Sequence, residues 1–523
     1  MKKIILILFL SNVVFAREPI HVQLLGINDF HGNLEPPMGS VGEINGIKAG
    51  GVEYLATHIK NLRQGHEYSV TVSAGDLFGA SPLLSAMFKE EPTIEAMNLL
   101  GLDLNAVGNH EFDKGWRQLL KHQEQAQFGF LAANVVINST QKTLFPGYQI
   151  REFGPVKVAF IGVVLEGMEK FSTAQSIEGL SFFDEADTIN ALIPELEKKG
   201  VQTIVVLIHE GGLPTGGFNE CPGISGPILD IANRLSEQVG VILSGHTHQA
   251  YNCVINNKLV TSAASNGRLV TEIDLVLDPQ NGKMLSAQGN NLIVSREVIK
   301  DADQTALIKK YKDIAAPIAN KVIGHVVKDL SKVKNAAGES MLGKVLADAQ
   351  LEASALADIA FVNPGGIRTD LTFASSPANE GDGNVTFSEA FSVLPFGNNL
   401  ISMNLNGQQI IELLEEQFLG GESSTIPILQ ISQGFSYTYM KNAPIHHKIK
   451  PESIMINGQG LEPLRTYGVV ANAFLAEGGD GFSIFKKGTN RQVGVSDIEA
   501  LTRYLENHSP VLGVEEARVT FLP

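Results

Sequence analysis

The sequence predicts two domains of mixed α/β type joined by a charged helix, on three observations. Short apolar runs alternate with amphipathic segments from Ile20 to about Leu277, a charged stretch of helical period covers residues 301–324, and a second alternation begins near His325. At 523 residues the chain exceeds what one ordinary core holds. Its composition, 44% apolar and 18% charged, is that of a globular protein.

The first sixteen residues, MKKIILILFLSNVVFA, stand apart. A basic start, an apolar centre of about ten residues and a small-residue end read as a cleaved secretory leader, too short for the roughly 20 residues that span a membrane. The mature chain is expected to begin near Arg17 and to be exported, either periplasmic or secreted, with no membrane-spanning segment once the leader is gone. Loss of Met1–Ala16 removes two lysines and no acid, taking the formal charge from −16 to −18. That acidity argues against nucleic-acid polymers and anionic membranes as main partners. An anionic substrate would then need a local source of positive charge. The two cysteines, Cys221 and Cys253, read as one disulfide in an exported chain, with two free thiols as the alternative.

In the first domain, expected over residues 17–300, the runs HVQLLGI, SVTVSAG, LNAVG, VKVAFIGVV, VQTIVVLI and VGVILSG read as strands. PTIEAMNLL and GPILDIANRLSEQVG read as helices between them. Residues 301–324, charged at their start and poor in core-type residues, suit a linker helix. In the second domain, residues 325–523, ESMLGKVLADAQLEASAL and QQIIELLEEQFL read as helices, and DIAFVN, NLISMNLN, GFSYTYM and TYGVVANAF contain strands. FASSPANEGDGN is polar and turn-rich, an exposed insertion.

Chemistry-bearing residues follow the apolar runs of the first domain. Asn28, Asp29 and His31 follow LLGI; Asp76 follows TVSAG; Asn109, His110 and Asp113 follow NAVG; His209 follows VVLI; His246 and His248 follow VILSG. Loops at the carboxyl ends of strands in an open α/β sheet converge on one crevice, so five segments can deliver side chains to a single site. The residue types suit two divalent ions about 3.5–4 Å apart, bridged by a carboxylate for which Asp76 is the candidate. The i, i+2 spacing of Asp29 with His31 and of His246 with His248 would put each pair on one side of extended backbone. Gly26, Gly75, Gly108 and Gly245 sit where the chain would turn tightly or approach the ions.

The order GINDFHGNLEP, SAGDLFGASP, GNHEFD, IHEGG, SGHTHQAYNC resembles the periplasmic and surface 5′-nucleotidases, over nearly the whole mature chain. The resemblance implies a calcineurin-like metallophosphoesterase β-sandwich flanked by helices, followed by a mixed α+β nucleotide-binding domain. It implies one divalent ion, Zn, Mn or similar, held by Asp29, His31, Asp76 and His248, and a second held by Asp76, Asn109, His209 and His246. His110 and Asp113 then form a catalytic dyad. Two cations in the cleft would also supply the positive charge that the acidic surface lacks.

The second domain carries NPGGIR, VLPFGNN and NAFLAEGGDGF, matching the same family in order. The resemblance implies that Phe396 and Phe474 sandwich a base, Asp480 bonds the ribose, and Asn363, Arg368 and Asn398 contact the rest of the nucleotide. Family members often bring a further arginine from just ahead of the first helix of this domain, where this chain offers only Lys332 and Lys334. Pro364 stands where a glycine is common. The expected activity is hydrolysis of nucleoside 5′-monophosphates, extending to nucleotide pyrophosphates such as UDP-sugars. The alternatives are a 2′,3′-cyclic-nucleotide phosphodiesterase with 3′-nucleotidase activity, a sulfur-ester hydrolase on a related scaffold, and a non-catalytic binding or host-interaction protein. Oligomeric state is left open.

Overall fold

The uninterrupted apolar runs of the first domain become strands because both of their faces are covered. The structure, a computed structural model, describes residues 18–376, 378–419 and 426–523; the leader expected at Met1–Ala16 lies outside the described residues. Two six-stranded sheets stack face to face. The first runs, in spatial order, Met284–Ile293, Leu269–Leu277, Ile20–Ile27, Ser69–Ser73, Leu104–Ala106 and Gly129–Leu131; the second runs Ala250–Ile255, Lys258–Ala263, Val239–Ser244, Thr203–His209, Val156–Val164 and Tyr148–Phe153. Ile20–Ile27, Ser69–Ser73, Leu104–Ala106 and Gly129–Leu131 are parallel, as are Val156–Val164, Thr203–His209, Val239–Ser244 and Lys258–Ala263.

Side chains divide by parity along each strand. Leu24, Val72, Val205 and Leu207 fill the layer between the sheets, whereas Leu25 faces helices Val52–Leu62 and Glu91–Leu100, and Val206 and Ile208 face Glu185–Lys198 and Pro227–Arg234. This four-layer arrangement leaves the carboxyl ends of the parallel strands as an open edge where loops gather. Gly26 serves the packing of the sheets rather than an approach to ions: a Cβ there would lie 2.1 Å from Leu243.

The connecting helix spans Ala302–Ala319 and is not a bare linker. Leu307, Ile308, Tyr311 and Ala315 are buried in the outer core of the first domain, and Gln304 donates to the carbonyl of Ala96. Composition misled here, because four apolar residues on one stripe suffice to dock a helix whose other face is charged. Val322–His325 is already a strand of the second domain, paired with Asn384–Thr386.

The second domain is built on a five-stranded sheet, Gln430–Ile431, Ile359–Val362, Thr466–Asn472, Asn399–Asn406 and Thr489–Ser496, with helices Met341–Glu352, Gly407–Glu416 and Asp497–His508 packed on it. A four-stranded sheet that includes Phe435–Met440 extends its core. A buried Arg518–Asp348 pair, bidentate at 2.7 and 2.8 Å, ties the C-terminal segment to helix Met341–Glu352. Cys221 and Cys253 are bonded to one another; Cys253 lies within strand Ala250–Ile255 and is buried. Among the described residues no helix is long and apolar enough to cross a membrane.

Candidate metal centre and substrate cleft

The open edge of the first domain gathers all seven expected metal-binding residues. Asp29 and Asp76 lie in the loops just past their strand ends, His209 is the last residue of its strand, and Asn109, His246 and His248 follow theirs. The pairs spaced i, i+2 are not on extended backbone as the spacing suggested. Asp29, His31, Asp76, His246 and His248 all have φ between 48° and 71°, the left-handed region that non-glycine residues rarely occupy. Such strain persists only where the surroundings over-determine it, and here close packing does so. A Cβ on Gly108 would lie 2.2 Å from an Asp76 carboxylate oxygen, and one on Gly75, itself at φ 94°, 2.6 Å from His209 Nδ1.

The donor atoms converge. His31 Nε2 lies 3.0 Å from His248 Nε2, 3.7 Å from Asp76 and 3.9 Å from Asp29; His248 Nε2 is 3.3 Å from Asp29. On the other side His209 Nε2 lies 3.1 Å from Asp76 and 3.1 Å from Asn109 Oδ1, which is 2.9 Å from His246 Nδ1. The rings are oriented from behind. A carbonyl can only accept, so Gly79 O at 2.9 Å from His31 Nδ1 and Ala74 O at 2.8 Å from His209 Nδ1 put the proton on Nδ1 and turn the Nε2 lone pair to the centre. Acceptors facing one another at these separations match the edges of a coordination sphere with ligand distances of about 2.0–2.2 Å, so the donor set fits divalent ions.

Charge is already arranged for cations. Burial alone would raise Asp29, yet His248 and His209 hold it down to about 2; burial opposes the charged form of His209, yet Asp76 and Asp29 push it up to about 10. His246 is lowered to about 3, by burial and then by His209.

Beside this cluster His110 Nδ1 lies 3.0 Å from Asp113, and its ring packs edge-on to that of His31 at 5.2 Å. Asp113 and Asp76 more than offset burial and raise the imidazole above its ordinary value, favouring the imidazolium. Three contributors had been given no role from the sequence. Asn28 holds Asp29 with its amide at 2.7 Å and bridges to Ala263 and Ala264. Glu111 accepts from the backbone of both ligand loops. Phe171 packs edge-on to His246 at 4.8 Å. The first two sit inside quoted motifs, so their position was a signal; Phe171 had none.

A cavity of about 710 Å³ faces the cluster and is walled by both domains. His110, Asp113 and Asn109 line one side, and all six expected substrate residues line the other: Asn363, Arg368, Phe396, Asn398, Phe474 and Asp480. Asn363 donates to Asp480 at 2.9 Å and accepts from Asn472. Phe396 lies 5.7 Å from the His110 ring, with the Arg368 guanidinium 5.8 Å from its centroid. Phe474 has Gly479 beneath it, where a Cβ would come within 2.5 Å of the ring. Arg368 crosses the cleft, its Nη2 3.2 Å from His31 Nε2. Lys332 sits behind it, donating to the Arg368 carbonyl at 3.1 Å; burial and then Arg368 lower it to about 8.

Residues 22–250 match the calcineurin-like phosphoesterase family and residues 322–487 match the 5′-nucleotidase C-terminal domain. Cell wall protein Lmo0130 of Listeria monocytogenes is 33% identical over 540 residues, spanning 94% of this chain and 68% of that protein. The chain belongs to the 5′-nucleotidase family. Endonuclease YhcR of Bacillus subtilis is 30% identical over 525 residues, 96% of this chain and 41% of its own length. The crystal structure of a 5′-nucleotidase precursor from Thermus thermophilus superposes with a TM-score of 0.82 at 27% identity, covering 96% of this chain and 99% of that one. Membership makes the chain a metal-dependent phosphoesterase of two-domain α/β fold.

Proposed function

We propose that this protein is an exported hydrolase of nucleoside 5′-monophosphates that uses two divalent ions. One observation carries the reading: a single cavity has a cation-type donor cluster and a His–Asp pair on one wall, and two phenylalanines, an arginine and a half-buried carboxyl on the other. In this reading Asp29, His31, Asp76 and His248 hold one ion, and Asp76, Asn109, His209 and His246 hold the other. Bound there, the ions supply Lewis acidity at phosphorus and lower the pKa of a coordinated water.

The remaining work falls to side chains. Asp113 fixes the His110 ring and favours its charged form, and the ring's Nε2–H stabilises charge that develops on the phosphoryl and leaving oxygens. Arg368 orients the phosphate. Phe396 and Phe474 stack the base, and the Asn363–Asp480 pair meets the ribose hydroxyls. Folding with the Cys221–Cys253 bond suits an oxidising compartment, which supports export.

The test is phosphate release by the purified mature chain with Zn²⁺ or Mn²⁺ from 5′-AMP, 3′-AMP, 2′,3′-cyclic AMP and UDP-glucose, the last with and without added phosphatase. Preferential release from 5′-AMP that collapses in His110→Ala is expected; preference for the 3′ or cyclic ester overturns the ester assignment, and no turnover with two bound metals overturns catalysis. A second reading, hydrolysis of phosphodiesters or pyrophosphates, is favoured by a second chamber of about 500 Å³. It meets the first at Ala80, His248, Gly365 and Arg368 and leaves room for another group on the phosphate. The relative named an endonuclease points the same way.

A further inference from the structure

Glu111 lies between the dyad histidine and a core phenylalanine, inside a one-turn helix His110–Phe112, and only 3% of it is exposed. Among the described residues its carboxylate has no cationic hydrogen-bond donor. Oε2 accepts from the backbone N–H of Asp76 at 2.9 Å and of Gly108 at 2.8 Å; Oε1 accepts from Leu77 N–H at 2.8 Å and, at 3.4 Å, from the Asn105 amide. A buried carboxyl is costly unless its oxygens find donors. These four donors satisfy them, and they come from two separate loops. One loop carries Asp76, the candidate bridge between the ions. The other carries Asn109 and His110. A capped turn would need one oxygen and one loop.

We propose that Glu111 is a positioning residue whose carboxylate clamps the Asp76 loop to the Asn109–His110 loop and so sets the spacing that lets two ions bind together. The inference rests on the two-metal reading given above. Two further contacts share the task without replacing it: His110 N–H donates to Asp76 Oδ1 at 2.9 Å, and Gly108 permits the close approach of the loops. Both depend on Asp76 being held where Glu111 holds it, because Asp76 sits at φ 53° and its own N–H is the one that Glu111 accepts. Outer residues that orient ligands typically change metal affinity 10- to 100-fold when altered.

The experiment is a titration of the full mature chain with Mn²⁺ alone, read by calorimetry and by electron paramagnetic resonance, comparing the parent with Glu111→Gln and Glu111→Asp. Gln keeps the shape but presents an NH₂ to N–H donors; Asp keeps the charge and falls one methylene short. The parent is expected to show an exchange-coupled pair at two equivalents. In Glu111→Gln the weaker of the two ions should bind roughly 10- to 100-fold less tightly, and the spectrum at two equivalents should be that of isolated Mn²⁺. Glu111→Asp should move the same way by less, and decides the matter if the Gln variant does not fold. At saturating Mn²⁺ the loss should appear in kcat, with KM for 5′-AMP within about twofold. Coupled Mn²⁺ bound with parental affinity in the variants overturns the inference, as does a lowered melting temperature with unchanged metal binding. A parent that binds fewer than two Mn²⁺ overturns the two-metal reading, and this inference with it.

Discussion

The two walls of the cleft are made differently. On the first domain every candidate ligand stands at the end of a buried parallel strand or in the loop directly after it, and five of them share a left-handed backbone conformation. On the second domain the six proposed substrate residues come from a short turn after Ile359–Val362, a loop after helix Phe387–Val393 and the segment after Thr466–Asn472. The sheet behind them and the Asn363–Asp480 hydrogen bond link these segments. Ions tolerate errors of a few tenths of an ångström, so their ligands need a rigid edge; a nucleotide accepts looser walls whose spacing is completed when the domains meet. The difference predicts that first-domain changes strike turnover and second-domain changes strike recognition.

The sharpest way to break that contrast is Asp76→Asn, which removes the shared carboxylate. It is expected to cut kcat more than about 10⁴-fold and to leave fewer than two ions bound, measured by metal analysis beside a steady-state assay. His110→Ala should cost about 10²–10⁴-fold in kcat with KM nearly unchanged; a rise in KM alone would move His110 to the recognition wall. Phe474→Ala tests the other wall. Stacking of roughly 1–3 kcal/mol predicts about a 10- to 100-fold rise in KM for 5′-AMP, with little change in kcat.

The smallest effect concerns the scaffold of the recognition wall. Asp497, buried at the start of helix Asp497–His508, is pushed up to about 7 by burial, above its ordinary 3.8, against the backbone N–H bonds that favour its charge. A carboxyl with a raised folded-state pKa contributes stability below its unfolded value, and that contribution is lost as pH rises through about 7. Asp497→Asn should therefore gain about 1–3 kcal/mol at pH 8 and nothing near pH 3.5, by urea unfolding. An equal gain at both pH values would refute the titration as its cause.

Much of the first wall was legible because doubly covered parallel strands produce apolar runs, and ligands follow those runs directly. The conformation of the ligands was not legible. An i, i+2 pair on extended backbone and one in the left-handed region have the same letters, and only packing against Gly75, Gly108 and the paired sheets decides between them. Asn28 and Glu111 stand inside the motifs, but their roles were not legible because they act on backbone and on a neighbouring carboxylate. In the second domain the motifs named side chains that line one cavity, yet that Arg368 would reach His31 and Phe396 approach His110 depends on how two cores dock. Lys332 illustrates the same limit. Proximity in sequence to a missing arginine marked it, whereas its position behind Arg368 is a property of the fold.

Helix Ala302–Ala319 belongs to the first domain by its packing, and strand Val322–His325 belongs to the second by its pairing, so only Asn320 and Lys321 pass between them. A tether of two residues permits almost no separation. The recognition wall is therefore presented to the ions at an effective concentration far above that of any free partner, of the order reached with the shortest flexible linkers, millimolar or more. On the reading proposed above, a nucleotide held against the second-domain wall already faces the candidate metal ligands across one cavity and needs no new diffusional search to reach them.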